Sequence, residues 1–296
     1  PGEPSFRLRH AELLLQNGRM SEGLRTARQL TGPRNSPAIQ RNAHWLLAQV
    51  YGQIRMLDEA EEHTRQALQL SPGNRNMFLF LMQTMMQNRK FSETQLALEN
   101  YLAGQPDDLQ AVMLLNQVFR AQGDFNRAVA VLDSAIATHP EADLLVLRRV
   151  ETLMQSPRWR ESVSNARMLH ERYPERPELA NNLAFVLARS RQDLDFAYSL
   201  SSGLIEQHPE NPGILDTHGL VLAARGDHAA AIPLFESALS QLSTNAMIRH
   251  HLALSLAESG RVEEATRHLN IVLVLDPPYS ETHQIEQLIA SLKGDA

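Results

Sequence analysis

The side chains of this chain that could move protons stand in its second half at a regular spacing. Asn181, Asp216 and His250 follow one another at intervals of 35 and 34 residues. Aspartate and histidine are common acid–base groups in enzymes. At equivalent points of neighbouring helices, however, they would be separated by roughly 8–10 Å, which is beyond hydrogen-bonding reach. We therefore predict that these residues form a polar recognition patch and not a catalytic pair.

Sequence motifs for other chemistry are absent. The chain contains twelve histidines and no cysteine, which excludes disulfides, thiolate metal sites and cysteine nucleophiles. It has no HExxH, no GxxxxGK[ST] and no GxSxG sequence. His250 and His251 are adjacent, so their side chains diverge on a helix, and His218 is expected to be hydrogen-bonded inside the fold. We predict no catalytic residue, no metal and no cofactor, and interpret the chain as not an enzyme.

The elements that carry these side chains repeat along the chain. Prolines recur with a period of 34 residues at Pro72, Pro106, Pro140, Pro174, Pro209 and Pro277. The interval before Pro209 is 35 residues, and the interval before Pro277 is 68 residues, which is twice the period. A column of small residues keeps the same period: Ala60, Ala128, Ala197, Ala231 and Ala265. Two helices approach to about 8 Å only where the facing side chains are small, and proline stops a helix. The pattern predicts tandem helical hairpins that end at the prolines.

Further positions follow the same period. A second small column holds Ala48, Ala184, Gly219 and Ala253, and a large column holds Leu57, Phe91, Phe125, Trp159 and Val262. Glycine, which suits a left-handed turn, stands between the helices at Gly18, Gly123, Gly226 and Gly260. Asp124 and Asp227 are expected to cap the helix that follows. Pro233 should lie inside a second helix, and one extra residue around 190–194 should lengthen a turn.

These columns resemble the tetratricopeptide repeat family, whose 34-residue unit is a helix–turn–helix, and the resemblance covers nearly the whole chain. It implies an all-α fold, a right-handed α-solenoid superhelix of about eight such units with a C-terminal capping helix. We expect a single array over 1–296. Its repeats are 4–40, 41–74, 75–108, 109–142, 143–176, 177–211, 212–245 and 246–279, and the cap is 280–293.

The resemblance implies that particular positions of each first helix face a concave binding surface. At these positions an apolar set, Trp45, Leu79, Met113 and Leu147, lies beside a polar set, Gln49, Gln83, Gln117 and Glu151, with Asn42, Asn76 and Gln110 nearby. Amides carry both donors and an acceptor, so they suit the backbone of a bound peptide. The alternative is that these residues pack within the array or face water. Arg120, Arg148 and Arg189 are scattered, so a clamp for the acidic tail of a chaperone is not expected.

Composition and charge limit the partners. The net charge is −6, which argues against a nucleic-acid partner. No apolar run approaches the roughly 18 residues that span a bilayer, so direct membrane insertion is not expected. The start of the chain lacks the charged and apolar pattern of a leader. Only Lys90 and Lys293 are lysines among 28 basic residues, a bias that favours a bacterial source.

Two short runs carry a second resemblance. Asn181-Asn182-Leu183-Ala184 and Asp216-Thr217-His218-Gly219 resemble runs in bacterial tetratricopeptide proteins of exopolysaccharide synthesis and export. That resemblance implies the periplasm or the inner membrane in preference to the cytoplasm, although the compartment stays unknown.

We interpret the chain as a non-catalytic scaffold that binds a peptide segment or partner protein in its groove, within a bacterial envelope or exopolysaccharide secretion assembly. Two alternatives stay open: a targeting or regulatory module of a larger enzyme such as a glycosyltransferase, and a scaffold that assembles with itself as a homo-oligomer.

Overall fold

Helices dominate the protein. The computed structural model describes residues 3–275 and 282–294. Over these residues the secondary structure consists of seventeen α-helices, one short 3₁₀ helix and no strand. The all-α prediction is confirmed. The chain divides into two compact units, unit 1 at Pro1–Val118 and unit 2 at Phe119–Ala296.

Unit 1 is built from consecutive helices that contact one another in pairs. They are α1 (Pro4–Gln16), α2 (Met20–Leu30), α3 (Pro37–Gln53), α4 (Leu57–Gln69), α5 (Arg75–Gln87) and α6 (Phe91–Gly104). The next helix, α7 (Leu109–Ala121), crosses the division between the units. Helix α3 begins at Pro37, directly after Ser36, which caps it by accepting a hydrogen bond from the Ile39 backbone at 3.4 Å.

Unit 2 continues the succession of helices. They are α8 (Phe125–Thr138), α9 (Asp143–Met154), α10 (Val163–Arg172), α11 (Pro177–Ser190), α12 (Leu194–Gln207), α13 (Pro212–Ala224), α14 (His228–Gln241), α15 (Ala246–Glu258), α16 (Val262–Leu273) and α17 (Thr282–Gly294). The predicted capping helix is present as α17, where Ile285 and Ile289 pack against Ala253 and Leu269. Pro277 and the first two residues of the predicted 280–293 segment lie outside the described residues.

The small columns occupy the helix contacts, as predicted. Ala60, Ala128, Ala197, Ala231 and Ala265 are all fully buried. At Gly219 even a methyl group is too large, because a Cβ there would lie 2.8 Å from Cε1 of the buried Phe235 ring. Large and small residues therefore interlock between α13 and α14.

Helix ends follow the predicted signals. Pro72, Pro106, Pro140, Pro174 and Pro209 each lie two or three residues beyond the end of a second helix. Asp124 and Asp227 cap α8 and α14 by accepting from the backbone of Arg127 and Ala230. The glycines between the helices have φ between 75° and 90° at Gly18, Gly123, Gly226 and Gly260.

The irregular hairpins also have local causes. In two unit 1 hairpins an arginine occupies the left-handed turn, with φ of 60° at Arg55 and 57° at Arg89. The extra residue between α11 and α12 is accommodated by two left-handed residues, Arg191 and Asp193, with φ of 53° and 46°. Pro233 lies inside α14, as predicted. In the hairpin of α9 and α10, the second helix is preceded by a 3₁₀ turn at Trp159–Ser162.

Candidate binding site

The side chains predicted to face a groove in unit 1 differ in their exposure to solvent. Gln49, Asn76, Gln83 and Gln110 are exposed, whereas Asn42, Trp45, Met113 and Gln117 are half-buried. The prediction for Leu79 is wrong, since only 3% of this residue is exposed. Because α5 packs on both α4 and α6, an apolar residue on its flank is covered by neighbouring helices and is not available to a partner.

Trp45 is held in place by its neighbours. Its ring meets Phe80 edge-on, with the centroids 5.1 Å apart and the planes at 80°. Phe80 fits there because Gly52 of α3 leaves room for it, and a Cβ on Gly52 would lie 2.9 Å from the tip of the phenyl ring. A half-buried tryptophan with a fixed orientation offers apolar contact area at little entropic cost.

Two of the predicted amides already have partners within unit 1. The Asn42 Oδ1 atom accepts from Arg41 at 2.9 and 3.0 Å, and Gln110 Oε1 accepts from Arg75 at 3.3 Å. The same Arg75 forms an ion pair with Asp108 at 2.6 Å, and that hydrogen-bonded pairing lowers the pKa of Asp108 to about 2. Asn42 and Gln110 are therefore oriented by neighbouring arginines.

The remaining groove residues lie in unit 2. Glu151 accepts a hydrogen bond from Arg148 at 2.7 Å. Leu147 lines a cavity of about 320 Å³ together with Leu144, Leu169, Leu179, Tyr173, Asp143 and Arg176. Leu144 is 60% exposed, which leaves apolar surface at the mouth of this cavity.

The predicted polar patch is not assembled as expected. Asp216 is only 3% exposed and its Oδ1 accepts a hydrogen bond from His251 Nδ1 at 2.8 Å. The partner is thus His251, one residue beyond the position equivalent to Asp216, and the prediction about equivalent positions stays a prediction. The spacing of helix axes measures the distance between backbones, and two long side chains directed towards each other close that gap.

His250 faces a different environment from its neighbour. It is 7% exposed, and burial, followed by the proximity of His251 and Arg189, lowers its pKa to about 3. The ring is therefore neutral near pH 7 and serves as a hydrogen-bonding group. Asn181 is half-buried and does not line the cavity described next, so the three predicted patch residues do not share one site.

A cavity of about 240 Å³ lies between α11, α13 and α15. Its apolar wall is formed by Ala188, Leu220, Ala223, Ala224 and Leu254, and its polar wall by Arg189, Arg191, His228, His250, His251, Ser255 and Glu258. Of these only His250 was predicted as a site residue. The sequence signal for the others was weak, because arginines and histidines at these positions do not recur from repeat to repeat.

His218 is placed as predicted. It is 9% exposed and its Nδ1 lies 2.9 Å from the Ser201 hydroxyl. In the part of the chain that the structure describes, no group of three or more histidine or acidic side chains is placed to hold a metal ion. Among the same residues, no helix is both long enough and apolar enough to cross a bilayer.

The fold and these surfaces define a class of helical-repeat protein, and comparison with known sequences identifies the family. Sequence models of the tetratricopeptide repeat match residues 42–74, 84–143 and 222–289. Together they cover more than half of the chain. The chain belongs to the tetratricopeptide repeat family, whose fold is that of a protein-interaction scaffold.

One curated relative is the TPR repeat-containing thioredoxin TTL4 of Arabidopsis thaliana. It is 36% identical over 66 residues, which make up 22% of this chain and 10% of that protein. The chain therefore spans about a tenth of the length of this relative.

Solved structures with the same fold come from distant sources. A tetratricopeptide repeat protein from Parabacteroides merdae matches with a TM-score of 0.68 at 13% identity, over 86% of this chain and 98% of that one. The human IFIT1 dimer with m7Gppp-AAAA matches with a TM-score of 0.59 at 16% identity, over 96% of this chain and 71% of that one. Yeast Tom70 matches with a TM-score of 0.50 at 16% identity, over 93% of this chain and 59% of that one. At such identities the likeness shows the fold alone.

Proposed function

We propose that the chain is a non-catalytic scaffold that binds an extended segment of a partner protein along the first helices of unit 1. The observation that carries this proposal is the arrangement of Trp45, Gln49 and Gln83. Trp45 and Gln49 are four residues apart on α3 and so share one face of that helix. Gln83 occupies the equivalent position to Gln49 on α5, and both glutamines are exposed.

These side chains complement an extended peptide. Glutamine donates and accepts, so Gln49 and Gln83 can pair with the N–H and C=O groups of a peptide backbone. Trp45 and the half-buried Met113 offer the aromatic and thioether surface that is enriched at protein interfaces. In unit 2, Leu147 and the exposed Leu144 offer a second apolar contact surface, which we include in the proposal.

Selection of peptides from a random displayed library, with the intact chain as bait, tests the proposal. Binding of a selected peptide should weaken about tenfold in the variant Trp45→Ala/Met113→Ala, a loss of about 1.4 kcal/mol. It should weaken about fivefold in Gln49→Ala/Gln83→Ala, a loss of about 1 kcal/mol. The matched controls are Leu96→Ala on α6 and Gln69→Ala on α4, which remove exposed side chains from second helices. Equal losses of affinity in the controls would contradict the proposal. So would unchanged binding in both Trp45→Ala/Met113→Ala and Gln49→Ala/Gln83→Ala.

Trp45 also supplies a direct signal of occupancy. The chain has two tryptophans, so Trp159→Phe leaves Trp45 as the single indole reporter. A peptide bound along α3 and α5 should shift Trp45 emission to shorter wavelength, because it removes water from the indole. An unchanged spectrum at saturating peptide would place the bound segment elsewhere.

A second candidate function is a repeat module within a larger protein. The name of the Arabidopsis relative couples the repeats to a thioredoxin, and this chain matches a small part of it. Immunoblotting of the source organism with antibody raised against this chain measures the mass of the native protein. A mass far above 33.3 kDa favours this candidate, and a mass near that value removes it.

The cellular setting also belongs to the proposal. An exopolysaccharide or envelope assembly is supported by the two short runs around Asn181 and Asp216, and by no comparison. Fractionation of cells into periplasm, membrane and cytoplasm tests it, and a cytoplasmic pool alone would contradict it.

A further inference from the structure

The cavity between α11, α13 and α15 is locally positive in a chain whose net charge is −6. Arg189 and Arg191 are the cations on its wall, and Glu258 is the anion. His250 is neutral near pH 7 because burial lowers its pKa to about 3. The two guanidinium groups therefore outnumber the opposing carboxylate, which lies at the exposed end of α15.

Arg189 is held in a fixed direction. Its Nη1 donates to the backbone carbonyl of Met154 at 2.9 Å, and its guanidinium lies 4.9 Å from the centroid of the Trp159 ring. A guanidinium that is already stacked and hydrogen-bonded loses little conformational entropy when an anion arrives. Arg191 stands at the rim, in the left-handed conformation that the extra residue after α11 imposes.

The rest of the wall divides into a polar part and an apolar part. Ser255 is 1% exposed, and its hydroxyl lies 3.4 Å from His228 Nδ1. Together with His250 it offers neutral hydrogen-bonding groups. Leu220 and Leu254 form the apolar side with three alanines of α11 and α13. The cavity thus combines fixed positive charge with apolar surface, the combination typical of sites for small organic ligands.

We infer that this cavity binds a small carboxylate carried on an apolar body, with the carboxylate at Arg189 and Arg191 and the body against Leu220 and Leu254. Guanidinium groups bind carboxylates through paired hydrogen bonds, which sets the charged end. A volume of about 240 Å³ holds about eight water molecules at bulk density, which sets the size of the body. Glu258 disfavours a second negative charge on the ligand. The inference is independent of peptide binding in unit 1.

Calorimetric titration of the full chain with hexanoate and benzoate tests the inference, with hexanamide and benzamide as neutral controls of the same shape. The carboxylates should bind with a Kd of about 1 mM or tighter, which is typical for ligands of this size, and the amides at least tenfold more weakly. Amides that bind as well as the acids, or no saturable binding of the acids by about 10 mM, would overturn the inference.

Variants locate the bound anion. Arg189→Gln/Arg191→Gln should weaken hexanoate binding at least tenfold. Arg267→Gln removes a cation whose side chain is 73% exposed on α16, outside the cavity, and should leave binding unchanged. Since Arg189 also supports Trp159, a second variant, Ala224→Phe, fills the cavity without any change of charge and should abolish binding. Binding that survives Ala224→Phe in a folded protein would place the anion elsewhere and overturn the inference.

A capped peptide with one glutamate beside leucine distinguishes the source of the carboxylate. If the peptide binds to the unaltered chain and loses affinity in the same variants as hexanoate, the site accepts a carboxylate carried on a protein. If only the free acids bind, the ligand is a small molecule. Both results keep the inference, whereas a glutamine version of the peptide that binds equally well would count against the role of the charge.

Discussion

His251 donates a hydrogen bond from Nδ1 to Oδ1 of Asp216 at 2.8 Å, which joins α15 to α13 across 35 residues of sequence. Both residues are buried, since His251 is 6% exposed and Asp216 is 3% exposed. The His251 ring lies 5.9 Å from the rings of both Phe185 and Phe235. A polar pair in such surroundings stabilises the packing of the two helices only while both members are present.

Removal of one member should therefore be costly. We expect Asp216→Ala to destabilise unit 2 by about 3 kcal/mol, because it leaves the buried His251 without its acceptor. Denaturation by urea, followed by circular dichroism, measures the loss. Asp216→Leu/His251→Leu is the informative control, since replacement of both members should cost less than the sum of the single changes Asp216→Leu and His251→Leu. Additive losses would contradict a direct interaction.

Acid should destabilise the fold through His250. Its pKa is about 3 in the folded chain and near 6.5 when unfolded, so between these values the unfolded chain binds more protons and stability rises with pH. Lowering the pH from 7 to 5 should therefore remove about 2 kcal/mol. Urea midpoints across this range measure the slope. Burial also lowers the pKa of His44, His63, His218 and His268, so His250→Gln should reduce the slope without removing it. An unchanged slope would contradict a buried neutral ring at His250.

The interlocking of Gly219 and Phe235 predicts intolerance of a single methyl group. Gly219→Ala should cost about 1–3 kcal/mol, because the new Cβ would lie 2.8 Å from the fully buried Phe235 ring. Gly203→Ala is the matched control, since it also lies in a helix and a Cβ there meets nothing within 4 Å. It should be neutral or stabilising by up to about 1 kcal/mol. Thermal denaturation compares the two, and equal effects would refute close packing at Gly219.

A turn in unit 1 predicts a stabilising substitution. Arg55 has φ of 60°, a conformation that costs a side-chain-bearing residue about 1 kcal/mol and glycine almost nothing. Arg55→Gly should therefore raise the free energy of unfolding by up to about 1 kcal/mol, seen as a higher Tm. Gly123→Ala, at φ of 76°, should lower it by a similar amount. A loss of stability in Arg55→Gly would mean that the arginine side chain makes contacts that outweigh the strain.

Much of the fold was predictable because its signals are local or periodic. Ala60 and Ala128 mark helix contacts, Asp124 marks the start of α8, and Gly123 marks the turn before it, each through a preference of the residue itself. The candidate surfaces were predictable only in part. Gln49 and Gln83 are exposed and Leu79 is buried, since the same leucine suits a groove or a core and only the neighbouring helices decide.

The sequence by itself determined that this protein is a chain of helical hairpins, because a 34-residue period of small, large and turn-forming residues leaves no other way to bury its apolar faces. Only the tertiary structure decided that Asp216 pairs with His251, that His250 is buried, and that Arg189 lies over Trp159 beside a cavity. These contacts join side chains that belong to different repeats. They depend on how far and in which direction each side chain reaches across a helix boundary, which the spacing of residues along the chain does not specify.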